Sequence, residues 1–302
     1  MAWRDATVSD LSKGYWYGLL GVVIFAATVP FTRLAVGSAL SPQLDAGFVT
    51  HARAAIAAVL SLLWLWGTRA HRPSFRDAIL LLATGLCLSV GFPLLMALAM
   101  RTTSGSHASV MLGALPLMTA GVSAILHRAR LPLAFWLWAL FGSACVMVFS
   151  IHDNPLTAST ISSGDVLLML GVVCAAFGYS IGARLSASHR PDHVICWALL
   201  FCSPVNLPLA WASWPATSVA LSAWVALGYL SVFSMWLGFF AWYRGLALGG
   251  AVKVSQVQLV QPFLGILISV PLLKEPLSAD VLVFALFVVL SVAGSRSAAR
   301  TR

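Results

Sequence analysis

The chain has 302 residues, of which 60% are hydrophobic and only 9% are charged, and its mean hydropathy is +0.92. Water-soluble domains carry about 25% charged residues, so the composition excludes a soluble enzyme or binding module. The formal net charge of +9 could suit a nucleic-acid partner, but the basic residues are spread between apolar segments.

Ten apolar segments have close to the roughly 20 residues that a helix needs to cross a bilayer. They lie near residues 14–36, 44–67, 77–99, 105–126, 132–150, 165–186, 194–212, 221–242, 251–272 and 279–296. The sequence therefore predicts an all-α integral membrane protein with ten transmembrane helices. No cleavable leader pattern precedes the first segment, which is expected to act as the insertion signal.

The two halves of the chain resemble each other. Residues 107–131 align without gaps on 253–277, and a second echo links Gly21-Val22-Val23 to Gly171-Val172-Val173. Because five helices per half is an odd number, the second half must enter the membrane in the opposite orientation, as in many transporters. We predict two inverted five-helix repeats, 1–150 and 151–302, within one membrane domain.

The basic residues predict the orientation. If the N-terminus is cytoplasmic, fourteen of the eighteen Lys and Arg fall on that side, and the others are Arg33, Arg53, Arg101 and Lys274. Cytoplasmic loops carry such an excess of positive charge. Both termini are therefore expected in the cytoplasm, with the protein in the cell membrane, and no nucleic-acid partner is expected.

A few polar residues lie where hydrocarbon would not tolerate them. Arg53 is nine residues into the second segment, roughly 13 Å deep, where a charge usually faces a cavity or a partner. Arg33, near the outer end of the first segment, could either reach the interface or line a pore. His107 and Lys253 share one repeat position, either as interfacial residues or as the two mouths of one path.

The ninth segment is the most polar. In an α-helix Lys253, Gln256 and Gln261 fall within an arc of about 140°, which indicates either a pore lining or hydrogen bonds between helices. Prolines free backbone carbonyls and mark helix breaks. The predicted breaks are Pro30, Pro93, Pro116 and Pro262.

Absent groups also limit the function. None of the nine Asp and Glu lies near the centre of a predicted helix, so proton coupling through a desolvated carboxylate is not expected, and His51 or His107 would have to carry protons. Basic groups without such carboxylates predict an anionic or zwitterionic substrate held by Arg53 or Lys253. Neither catalytic motifs nor metal-ligand spacings occur, so no enzyme activity, cofactor or metal is expected.

Three stretches carry a family resemblance: residues 25–35 (FAATVPFTRLA), 51–55 (HARAA), and the segment around Pro262 that ends in LKEPL at 273–277. With these motifs the chain resembles the EamA-type members of the drug/metabolite transporter superfamily. The first half departs from the pattern, with Arg128-Ala129-Arg130 where such members often have a glutamate. The resemblance implies alternating access around a central cavity between the halves.

The resemblance places the cavity among the first, third, fourth, sixth, eighth and ninth helices. Together with the charged residues above, the predicted substrate-binding set is Arg33, Arg53, Phe92, His107, Tyr179, Trp236, Lys253, Gln256 and Gln261. The predicted function is a secondary carrier, with export expected, of a small polar metabolite, amino acid or drug-like solute. An organic-phosphate or nucleotide-sugar exchanger is the alternative, and a membrane-embedded enzyme or lipid-binding scaffold is the alternative from another class. The expected partners are the solute and the lipid bilayer.

Overall fold

The structure, a computed structural model, describes residues 8–126, 132–152, 162–186, 188–249, 254–277 and 279–300. Within these ranges the chain forms helices joined by turns, and one isolated β-bridge pairs Gly37 with Pro42. No strand is present in the ranges described. A helix satisfies its own backbone hydrogen bonds, which is what hydrocarbon demands of a spanning segment.

The first half contains seven α-helices among the described residues. They are α1 (Val8–Val36), α2 (Ala46–Gly67), α3 (Phe75–Gly85), α4 (Phe92–Ala99), α5 (Gly105–Leu112), α6 (Leu115–Leu126) and α7 (Leu133–His152). A π-helical segment, Leu86–Gly91, connects α3 to α4 without a loop.

The second half follows a similar order. Its helices are α8 (Ser163–Leu185), α9 (Pro191–Ala212), α10 (Leu221–Tyr229), α11 (Gly238–Gly249), α12 (Gln261–Leu273) and α13 (Ala279–Arg300). The π-helical segment Leu230–Leu237 joins α10 to α11, and the 3₁₀ segment Ser255–Val260 leads directly into α12.

Six helical segments of the described chain are long and apolar enough to cross a membrane. They are Ser12–Val36, Ala46–Gly67, Phe75–Ala99, Ser163–Leu185, Pro191–Ala212 and Leu221–Leu248, and Gln261–Leu273 and Ala279–Ser291 are shorter apolar helices. Large apolar side chains such as Trp16, Trp66 and Leu137 are exposed on the outside of the bundle. The prediction of an all-helical, multi-pass membrane protein is confirmed; ten spans, an inverted repeat and the two repeat boundaries stay predictions.

Short polar residues fix where several helices begin. Asp45 Oδ1 accepts a hydrogen bond from the backbone N–H of Gly47 at 2.7 Å, and Ser104 Oγ accepts from that of His107 at 3.1 Å. Ser162 and Asp165 form a reciprocal capping box at the start of α8. Such caps satisfy the N–H groups that the first turn leaves unpaired.

Glycines let α1 and α11 approach closely. A Cβ built on Gly245 would lie 2.7 Å from the backbone nitrogen of Gly18, and one on Gly21 would lie 3.1 Å from the backbone nitrogen of Trp242. Both helices are therefore in near backbone contact, as small residues allow between membrane helices. This contact holds α1 of the first half against the second half.

We predict that Gly245→Ala destabilises the protein whereas Gly228→Ala does not. An added methyl at 245 meets backbone atoms that cannot rotate away, and overpacking costs about 1–3 kcal/mol. A Cβ at Gly228 has no atom within 4 Å outside its own helix. Alanine also stabilises a helix by about 1 kcal/mol relative to glycine. Thermal unfolding in detergent measures both; a Gly245→Ala protein as stable as wild type would contradict the close contact.

Candidate functional site

A small cavity lies in the interior of the bundle. Helices from both halves contribute to its wall. Its lining residues are Phe25, Thr28, Arg53, Leu88, Phe92, Met96, Leu112, Leu115, Tyr179, Ser234, Met235, Phe239 and Gln261.

Most of the helix interruptions coincide with this wall. Leu88 and Ser234 lie in the two π-helical segments, and Gln261 directly follows the 3₁₀ segment. Leu112 and Leu115 flank the turn that separates α5 from α6. Because π-helical turns often occur at functional sites, their position here favours the cavity as the candidate site.

The polar corner of the cavity is formed around Arg53. Its side chain is only 3% exposed, and Nη2 donates a hydrogen bond to Ser234 Oγ at 3.0 Å. The Ser234 hydroxyl in turn lies 2.8 Å from the Thr28 hydroxyl. Arg53 Nε is buried without a hydrogen-bond partner. Among the described residues, no carboxylate lies within ion-pair distance of this guanidinium.

Aromatic rings form another part of the wall. The centroid of the Phe25 ring lies 4.9 Å from that of Phe239 and 6.3 Å from that of Tyr179. Phe92 lines the cavity from α4. Offset and tilted ring pairs of this kind make rigid apolar surfaces, so the cavity combines one buried cation with an aromatic wall.

At one end of the bundle, Glu275 joins the two halves. Its Oε1 accepts a hydrogen bond from the backbone N–H of Gly105 at 2.7 Å, and its Oε2 accepts from the N–H of Ser106 at 2.9 Å and from the Ser106 hydroxyl at 2.8 Å. The carboxylate thus caps α5, where the helix dipole favours a negative charge. We call this end of the bundle the Glu275 end.

A buried polar pair lies at the start of the same helix. His107 Nε2 is 2.7 Å from Asp165 Oδ1, and both side chains are almost fully buried. Asp165 Oδ2 accepts from the backbone N–H and the hydroxyl of Ser162. The pair therefore connects α5 of the first half to the first turn of α8 in the second half.

The opposite end of the bundle has its own polar contacts. Trp64 Nε1 donates to Asp192 Oδ2 at 2.9 Å, and the Thr68 hydroxyl lies 3.0 Å from His193 Nε2. These contacts connect the end of α2 to the start of α9. Deeper in the bundle, His51 Nδ1 lies 2.9 Å from Asn206 Oδ1 on the same two helices.

The structure brings four of the predicted binding residues to the cavity: Arg53, Phe92, Tyr179 and Gln261. Arg33 and His107 lie at the Glu275 end instead, where Arg33 Nη1 donates to the Met100 carbonyl. Trp236 packs against the rings of Trp64 and Phe240. The backbone of Gln256 lies in the 3₁₀ segment, and Lys253 is outside the described residues.

The predicted helix breaks fall at two kinds of position. Pro93, Pro116 and Pro262 lie in the first turns of α4, α6 and α12, and the nitrogen of each proline carries no hydrogen to donate to a carbonyl of the preceding turn. The interruption in each case therefore comes just before the proline. Pro30 instead lies inside the continuous helix α1.

Sequence reasoning missed several residues of this region. The Thr28 and Ser234 hydroxyls hydrogen-bond to each other, Ser234 also accepts from Arg53, and Asp165 pairs with His107. The capping-box spacing of Ser162 and Asp165 could have placed Asp165 in the first turn of its helix. A Gly-Phe dipeptide at the end of each π-helical segment, at 91–92 and 238–239, marks two aromatic lining positions.

Comparison with known proteins gives a consistent result. The EamA-like transporter family matches residues 12–151 and 162–296. "Uncharacterized transporter YdeK" of Bacillus subtilis (strain 168) is 37% identical over 297 residues, covering 97% of this chain and 100% of that protein. "Uncharacterized transporter YyaM" of the same organism is 24% identical, covering 91% and 90%.

A solved structure shares the fold. It is titled "Crystal structure of protein" and superposes with a TM-score of 0.66 at 17% sequence identity. The match covers 96% of this chain and 98% of that one. At this level of identity the likeness concerns the fold alone.

We predict strong coupling between His107 and Asp165. In a double-mutant cycle with His107→Ala and Asp165→Ala, removal of either partner takes this buried hydrogen bond from the other, so the two effects should be non-additive by more than about 1 kcal/mol. The matched control is the more exposed pair of Arg101 and Asp45, 3.1 Å apart, where about 0.2–1 kcal/mol is expected. Thermal unfolding measures both cycles; additive effects at His107 and Asp165 would contradict their pairing.

Proposed function

Because the chain belongs to the EamA-like transporter family, which matches most of its length, we propose that it is a secondary carrier that moves a small solute across the cell membrane by alternating access. The relatives' names point to a transporter rather than an enzyme. The observation that carries the proposal is the internal cavity with a buried cation, built where the helices are interrupted.

We propose ten spans arranged as an inverted repeat, and the helix packing supports this. α1 packs against α10, α11 and α12 of the second half, and α8 packs in the corresponding way against α3, α4 and α6 of the first. The pairs α2–α9 and α7–α13, which the repeat would map onto themselves, are also in contact. The π-helical segments Leu86–Gly91 and Leu230–Leu237 occupy corresponding segments of the two halves.

Alternating access would open one end of the cavity at a time. At the Glu275 end, the contacts of Glu275 with α5 and of His107 with Asp165 join the two halves. At the opposite end, Gly18 and Gly245 bring α1 against α11. Separation of the first set would admit solute from one side, and separation of the second from the other.

We propose that the Glu275 end faces outward and that both termini are cytoplasmic. Fourteen of the eighteen Lys and Arg fall on the side of the termini, and this excess supports the orientation through the positive-inside rule. Outward transport is the proposed direction, in keeping with the resemblance to drug and metabolite carriers. Cysteines introduced at the exposed positions Leu40 and Arg72 test the orientation, since only the cysteine at 40 should react with an impermeant reagent added to whole cells.

The proposed function is tested with purified protein in liposomes. Uptake and efflux of amino acids, organic anions and organic phosphates are followed with and without a pH gradient. Saturable movement of at least one small solute, faster than through protein-free liposomes, is expected. If no small solute moved while a lipid was transferred between leaflets, the carrier proposal would be overturned.

We predict that Glu275→Gln loosens the start of α5. The substitution keeps the shape but removes the charge that interacts with the helix dipole and replaces one acceptor oxygen by a donor. Hydrogen exchange of the amides of Gly105 and Ser106 should become several-fold faster.

The control for this measurement is Asp45→Ala, which removes the capping acceptor. Asp45 caps α2 at the same end of the bundle by accepting from Gly47 and Phe48. Its replacement should speed exchange at the start of α2 and leave α5 unchanged. Unchanged exchange at Gly105 and Ser106 in Glu275→Gln would show that Glu275 does not close this end.

A further inference from the structure

We propose that the cavity binds a small organic monoanion, a carboxylate attached to an apolar or aromatic body, with the carboxylate against Arg53. The inference rests on the proposed carrier function and names the chemical class of its solute. It combines three features of the site: a buried cation with an unused donor, the charge balance of the lining, and the aromatic wall.

The unused donor is on the guanidinium of Arg53. A guanidinium has five N–H donors in a planar fork, yet the described contact is one hydrogen bond from Nη2 to the neutral hydroxyl of Ser234, and Nε has no partner. Burial of an uncompensated charge costs several kcal/mol. A carboxylate in the cavity would supply both the opposite charge and two acceptor oxygens in the geometry that the fork prefers.

The charge balance of the lining selects a monoanion. Among the described lining residues Arg53 is the one cation, and none is Asp or Glu. A phosphate monoester carries about −1.5 to −2 charges at neutral pH, which one guanidinium would leave partly uncompensated. The ammonium group of an amino acid would meet hydroxyl and amide oxygens here but no carboxylate.

The aromatic wall selects an apolar body. Phe25, Phe92 and Phe239 line the cavity together with Leu88 and Leu115, so most of the surface away from Arg53 is apolar. The cavity is small, which favours a compact solute. A single ring or a short branched chain is therefore the expected size.

Benzoate is a suitable probe for the purified protein in detergent. Its binding is compared by calorimetric titration with that of benzamide, phenylalanine and phenyl phosphate, which share the ring but are neutral, zwitterionic and more highly charged. We expect benzoate to bind at least about tenfold more tightly than each of the three, because benzamide loses a charge-assisted hydrogen bond and the other two bring a charge that the lining leaves uncompensated. Equal or tighter binding of any of the three would overturn the proposal.

Variants of Arg53 connect this selectivity to the site. Arg53→Gln should abolish benzoate binding, and Arg53→Lys, which keeps the charge but not the fork, should weaken it at least about tenfold. The control Arg101→Gln removes a partly exposed arginine and should leave binding unchanged. Size-exclusion chromatography and thermal unfolding check that each variant is folded; if Arg53→Gln is not, Arg53→Lys decides. Wild-type affinity in a folded Arg53 variant would contradict the proposed site.

The outcomes separate this inference from the carrier proposal. If liposomes transport another solute and benzoate does not bind, the monoanion site fails and the carrier remains. If benzoate binds through Arg53 and no small solute moves, the monoanion site remains and the carrier fails.

Discussion

Hydrocarbon forces every backbone N–H and C=O group to find a partner within the protein, and this constraint determines where the helices can be interrupted. Irregular backbone is tolerated where it is buried or lines a cavity. Here the two π-helical segments line the same internal space, and so do residues next to the turn between α5 and α6 and next to the 3₁₀ segment. Irregular backbone and the buried arginine are thus found together at the cavity, whereas the outer surface of the bundle is apolar.

Large parts of this arrangement follow from the sequence. Length and hydropathy predict an all-helical membrane protein, because a spanning segment must be long and apolar. The depth of Arg53 along its segment predicts a buried charge facing a cavity or a partner, and the structure places it 3% exposed at the cavity. Pro116 and Pro262 mark interruptions at corresponding positions of the two halves. A proline inside a helix has no N–H to donate, so one backbone hydrogen bond is lost there.

Other parts could not be predicted, for two physical reasons. The arc formed by the side chains of the ninth segment is predicted from α-helical geometry, in which each residue turns by about 100°. Ser255–Val260 is instead a 3₁₀ segment, in which each residue turns by about 120°. Gln258 consequently cannot be placed by α-helical spacing, and it is buried. Contacts between distant segments, such as Arg53 with Ser234 and His107 with Asp165, depend on how the halves dock, which local patterns do not encode.

The most direct test of the account is the accessibility of the cavity from the two sides of the membrane. Leu115→Cys, in a background without the five native cysteines, places a thiol on the cavity wall. Alternating access predicts that a small hydrophilic thiol reagent labels it when added from either side, and that a bound solute slows labelling from both. Labelling from one side only, or from neither side, would contradict a central site that both sides share.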